Sequence, residues 1–169
     1  MASVGIALPS VLRAAGFGLR LQHEDDYAFL EQLYAGVRQA EMDRLDWPAE
    51  VKRAFLAEQC RLQHTHYQTH YWDAEFLIVE KREVAVGRLY IFRGANDHRI
   101  VDISLLPEIR GAGVGGALLT AVQQEAAAGG KTVSIHVEKF NPAQNLYRRL
   151  GFKEIAEAGP YWLMEWTAA

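Results

Sequence analysis

A chain of 169 residues, half of them hydrophobic and 23% charged, has the length of one domain and the composition of a folded one. Its formal net charge of −3 excludes nucleic-acid binding driven by overall charge. A lone cysteine, Cys60, excludes an internal disulfide and a cysteine-based zinc set, and points to a reducing, cytoplasmic setting with the thiol in a structural role.

Residues 1–15 read as a loose N-terminal tail. The apolar run from Val4 to Leu8 lacks a positive leading region and is broken by Pro9, unlike a signal peptide. No stretch reaches the roughly 18 apolar residues that span a bilayer, so no membrane partner is expected. Leu19 to Leu21 predicts a first strand. The acidic Glu24-Asp25-Asp26 suits a helix N-terminus, and Phe29, Leu30, Leu33 and Val37 follow at helical spacing. Pro48 suits the first turn of a second helix, which carries Val51, Phe55, Leu56 and Leu62 and runs to about Tyr67.

Strand-like runs come next: Phe76 to Val79, Val84 to Phe92 and, after a turn at Gly94–Asp97, His98 to Leu106. Beyond Pro107 a glycine-rich loop opens a helix marked by Gly115, Leu118, Leu119, Val122 and Ala126, with Gln123 to Glu125 mostly off that face. Gly129-Gly130 ends it. Thr132 to Glu138 alternates as a strand should. A short helix spans Asn141 to Leu150, and strands near Phe152–Ala156 and Tyr161–Trp166 close the chain. The order predicts an α/β fold: one domain over residues 16–169, with a mixed central sheet of about seven strands flanked by about four helices.

The segment from Leu105 to Gly116 (Leu-Leu-Pro-Glu-Ile-Arg-Gly-Ala-Gly-Val-Gly-Gly) runs from strand through glycine-rich turn to helix. The first N–H groups of a helix have no partner inside it, and with the helix dipole they form an anion site. Glycines let phosphate oxygens approach the backbone, and Arg110 adds a charge that can fork onto them. A P-loop is excluded because no Gly-Lys-Ser/Thr ends the segment, and the dinucleotide fingerprint is absent too.

Arg110–Gly115 resembles the signature of the GNAT superfamily of N-acetyltransferases: Arg or Gln, two residues, Gly, one residue, then Gly or Ala. The segment Asn141 to Phe152 (Asn-Pro-Ala-Gln-Asn-Leu-Tyr-Arg-Arg-Leu-Gly-Phe) is similar to the late segment of the same family. The resemblance covers residues 100–152 and implies a GNAT-like sheet whose parallel strands, ending at Leu106 and Glu138, splay apart to admit acetyl-CoA. On that likeness the backbone at Leu105 and Leu106 holds the acetyl carbonyl and pantetheine. The N–H groups of Arg110, Gly111, Ala112, Gly113, Val114, Gly115 and Gly116 hold the pyrophosphate, and Asn141 and Tyr147 lie along the pantetheine arm. Tyr147 matches the family's general acid. No metal is implied.

The chemistry so implied is attack of a neutral amine on a thioester, which needs a base for the amine and a proton for the leaving thiolate. His136 lies on the polar face of its strand and titrates near neutrality, so it is the first candidate base. Asp102 on the neighbouring strand can orient it or act through water, and Glu138 shares its face. His136 departs from the acidic base of several family members. His66 and His70 stand one helical turn apart without a further ligand nearby. With His64, Tyr67, Tyr71 and Trp72 they are the expected acceptor contacts. The expected partners are acetyl-CoA and an amine of a small molecule or peptide. A monomer and a homodimer are both open, and a non-catalytic acyl-CoA sensor or assembly module is the alternative.

Overall fold

The computed structural model describes residues 5–169. Its helices are α1 (Ser10–Ala14), α2 (Tyr27–Asp43), α3 (Ala49–His70), α4 (Val114–Ala128) and α5 (Gln144–Arg149). Its strands are β1 (Phe17–Leu21), β2 (Glu75–Lys81), β3 (Val84–Arg93), β4 (Asp97–Leu105), β5 (Thr132–Glu138), β6 (Lys153–Ala158) and β7 (Tyr161–Trp166). They form one seven-stranded sheet in the order β1-β2-β3-β4-β5-β7-β6, matching the α/β class and the strand count read from the sequence.

Every neighbouring pair is antiparallel except β4 and β5, which the helix α4 joins by a crossover. Leu77, Val79, Leu89, Ile91, Ile100, Val133 and Ile135 cluster with Leu118, Leu119 and Val122 of α4 to make the main core. Alternation sends the intervening residues to the other face, where α3 lies: Tyr67 meets Tyr90 edge-on with ring centroids 5.7 Å apart.

The expected loose tail differs from what is seen over residues 5–15. Pro9 precedes the first turn of α1 rather than breaking order, and Ile6 and Leu12 are buried in the core. Residues 1–4 of that expected tail lie outside the described ones. Gln123 is also an exception to its expected place. It is buried, and its side chain donates to the carbonyl of Leu150 at 3.0 Å, which ties α4 to the end of α5. Asn141 to Ala143 form a turn rather than helix, because the Asn141 side-chain oxygen accepts the N–H of Ala143 at 2.9 Å.

Two irregularities shape the middle of the sheet. The β3–β4 register steps from Tyr90↔Asp102 to Ile91↔Ile100, so Val101 is an extra residue on β4. Parallel pairing of β4 with β5 begins at Asp97↔Thr132 and stops at Ile100↔Ile135. Past that point β4 runs on to Leu105 and β5 to Glu138 without pairing to one another.

Candidate active site

The gap between the two strands opens into a cavity of about 580 Å³. Its walls are the diverging strands, Tyr34 and Arg38 of α2, Gln63, His66 and Tyr67 of α3 with Tyr71 just past its end, and Tyr147 and Tyr161 from the C-terminal part. Trp72 and His64 do not line it, and Trp72 is 76% exposed.

At one end of the gap lies the glycine-rich loop. Ala117 is the first residue of α4 whose N–H reaches a backbone carbonyl, that of Gly113 at 3.0 Å. Among the described residues the N–H groups of residues 111–116 donate to none. Gly113 caps the helix at φ +82°, a left-handed conformation that glycine adopts without strain, and nothing lies within 4 Å of the place a Cβ would take. The result is an open cradle of donors at the positive end of a helix dipole, which suits a diphosphate. Arg110 is exposed beside it, but its Nε is spent on the carbonyl of Leu105 at 3.0 Å. The N–H of Leu106 is likewise spent, on Val86 at 2.9 Å. Strand alternation then turns the N–H of Leu105 toward the gap.

Tyr147 comes from α5, is 6% exposed, and packs at 6.0 Å between centroids against Phe152. Its hydroxyl has no hydrogen-bond partner among the described residues. Burial, with help from the Asp102 carboxylate, pushes its pKa up to about 12. The phenol therefore keeps its proton at neutral pH.

Asp102 is not joined to His136. Its Oδ2 accepts from Arg88 Nη2 and from the Tyr67 hydroxyl, each at 2.9 Å, and its Oδ1 accepts from Ser104 at 2.6 Å. Arg88 is 4% exposed, donates also to Gln63 Oε1 at 2.8 Å, and lies over the rings of Tyr67 and Tyr90. Burial and the adjacent carboxylate hold the Tyr67 hydroxyl protonated.

His136 is exposed on β5, and its neighbour is Arg99 on β4. Arg99 Nη1 lies 3.3 Å from His136 Nδ1, and Arg99 Nε donates to Ser134 Oγ at 2.7 Å. A guanidinium only donates, so Nδ1 accepts and the neutral ring carries its hydrogen on Nε2. Burial first, and then the Arg99 charge, lower the pKa of His136. Asn141 is exposed, with its side-chain oxygen engaged in its own turn. Glu138 lines the cavity one pleat beyond His136.

Elsewhere, the rings of His66 and His70 lie 4.4 Å apart, and no group of three potential metal ligands occurs among the described residues. Cys60 is buried, which pushes its thiol pKa up. No helix among the described residues is long and apolar enough to cross a membrane.

Sequence reasoning passed over Arg88, Arg99, Gln63, Arg38 and Tyr161. Arg88 did leave a signal, being one charge inside the otherwise uncharged run Val84 to Phe92. Arg99 left none, because its partners sit on a strand that only the parallel register brings alongside.

The sequence profile described as an acetyltransferase (GNAT) domain matches residues 72–154. Among solved structures, the PaiA N-acetyltransferase of Thermoplasma acidophilum, in complex with coenzyme A, is similar at TM-score 0.67 and 18% identity, over 90% of this chain and 99% of that one. An acetyltransferase of Thermus thermophilus gives TM-score 0.64 at 18% identity, over 90% and 97%. The yncA putative acetyltransferase of Salmonella typhimurium, with its cofactor acetyl-CoA, gives TM-score 0.55 at 17% identity, over 90% and 94%. No curated protein sequence matches. The profile spans both halves of the gap and each of these structures shares the fold, so residues 72–154 match the GNAT acetyltransferase domain and the chain has the fold of those acetyltransferases.

Proposed function

We propose that the protein is an N-acetyltransferase that moves the acetyl group of acetyl-CoA to an amine of a small molecule or peptide by direct attack. One observation carries the reading: the β4–β5 gap has unspent N–H donors at one end and a buried, protonated tyrosine at its side. Donors in a row at a helix N-terminus fit a diphosphate, and a gap between strands fits an extended pantetheine arm.

In this reading the N–H groups of Gly111 to Gly116 hold the pyrophosphate, and Arg110 shapes the loop by its bond to Leu105. The N–H of Leu105 supports the acyl oxygen, and Asn141 lies along the arm. Acetyl-CoA supplies an activated acyl carbon. The acceptor nitrogen forms its bond to that carbon as the carbon–sulfur bond breaks. One proton leaves the nitrogen and one reaches the sulfur.

Tyr147 gives its phenolic proton to the thiolate, a role that needs the phenol protonated beforehand. His136 takes the amine proton. Its depressed pKa keeps it unprotonated at neutral pH, but Nδ1 must first be released by Arg99. Asp102 is a positioning residue: it holds Tyr67 and Ser104 on the wall, and its charge helps to keep Tyr147 protonated. The test is release of free CoA thiol across a panel of amines. Tight CoA binding with no thiol release from any amine would leave a non-catalytic acyl-CoA module instead.

A further inference from the structure

We infer that the acceptor carries a carboxylate close to its amine, as an α- or β-amino acid does, and that Arg99 is the residue that recognises it. The inference rests on the acetyl-transfer reading above and names its substrate class.

Three arginines line the cavity. Arg88 has Asp102 at 2.9 Å, and Arg38 has Glu41 at 3.1 Å. Arg99 has no carboxylate within ion-pair distance among the described residues. Its partners are the hydroxyl of Ser134 and the ring of His136, both neutral. The nearest acid in that network, Asp97, is one step removed: Ser134 donates to its Oδ2 at 2.5 Å, and Thr132 to its Oδ1 at 2.8 Å. The charge of Arg99 is thus turned to the cavity and left without a counter-ion there.

Its position adds to this. Arg99 stands in the last paired stretch of β4 and His136 directly follows the last pair on β5, so both mark the point where the strands part. An amine that reaches the thioester through His136 brings any carboxylate two or three bonds away onto the Arg99 guanidinium. Because Nε is committed to Ser134, the Nη1 and Nη2 edge remains, and it matches two carboxylate oxygens. On the other side of His136, Glu138 has no cation within ion-pair distance among the described residues, and suits the ammonium before it loses its proton. Opposite charges flanking a candidate base match a zwitterion better than a polyamine or a bare alkylamine.

The same contact links recognition to chemistry. At 3.3 Å the bond from Arg99 to His136 Nδ1 is long, and a carboxylate is the stronger acceptor. An amino-acid acceptor draws the guanidinium off the ring, and Nδ1 is released as the substrate arrives.

The test reads binding and needs no turnover. N-acetyl derivatives of the common amino acids, and their primary amides, are titrated calorimetrically into CoA-saturated protein. For at least one side chain the acid should bind about tenfold or more tightly than its amide. Arg99→Gln should abolish that preference with CoA affinity unchanged, and Arg99→Lys should restore only part of it, since a point charge lacks the fork. Equal binding of acid and amide across the panel, or a preference that survives in Arg99→Gln, overturns the inference. A protein that shows the preference yet releases no thiol from the free amino acids upholds the inference and overturns the transfer reading.

Discussion

Arg99 donates through Nη1 to Nδ1 of His136 across 3.3 Å, and by doing so sets the hydrogen of the neutral imidazole on Nε2. Burial and this cation both disfavour the imidazolium, so its pKa lies below the ordinary histidine value. If His136 is the base, kcat/KM should rise with pH through a midpoint below that of a free imidazole. Arg99→Met removes the cation and leaves the burial, so the midpoint should move up. The carboxylates of Asp97, Asp102 and Glu138 remain in both proteins. His136→Ala should lose this limb. The check is a pH–rate profile of the three proteins with one acceptor, whose own ionisation is then common to all.

Tyr147→Phe should lower kcat by roughly 10²–10⁴, the range for loss of a general acid. CoA affinity and thermal stability should change little, because the hydroxyl has no protein partner to lose while the ring keeps its contact with Phe152. Turnover and CoA titration on the same preparation separate these effects. A Phe variant with wild-type turnover would return Tyr147 to a packing role.

Gly113 separates the cradle from the fold. With open space beside it, Gly113→Ala should cost only about 1–2 kcal/mol for the left-handed backbone. Gly113→Glu bears the same strain but brings a carboxylate into the site proposed for the pyrophosphate. Both variants should fold with similar Tm, and only the Glu variant should lose CoA binding, as read by calorimetry.

Asp102→Asn should be costly for a different reason. It leaves the Arg88 cation, 4% exposed, without its counter-charge. Breaking a buried pair costs about 3 kcal/mol or more, which at this size corresponds to a fall in Tm of about 6–12 °C. Replacing both partners, as Arg88→Met with Asp102→Leu, should recover much of that loss. Scanning calorimetry of the two variants measures it.

The order of elements and the sheet were legible because hydrophobic period and turn residues act locally. Thr132 to Glu138 alternates cleanly and was read with its true ends. The α5 helix was read three residues too early, since its spacing does not reveal that Asn141 closes a turn on Ala143. Residues 10–14 were read as tail because Leu12 is buried by contacts with distant parts of the chain. The glycine loop and Tyr147 were found through motifs whose residues lie close together in sequence. Arg99 and Arg88 were not, since Ser134, His136, Gln63 and Asp102 reach them only after the sheet and α3 have assembled.

The seam between β4 and β5 has a mechanical meaning. Four residue pairs, Asp97↔Thr132 to Ile100↔Ile135, are the whole ladder joining a four-stranded half-sheet to a three-stranded one. Each half closes its own hydrogen bonds, so the sheet is weakest along this line. A molecule seated in the gap bridges the two halves and takes up the load that the missing ladder does not bear. Hydrogen–deuterium exchange at residues 101–105 and 136–138 should therefore be faster than in β3, and should slow when the gap is filled. The opening that leaves room for a ligand also makes the domain's rigidity depend on having one.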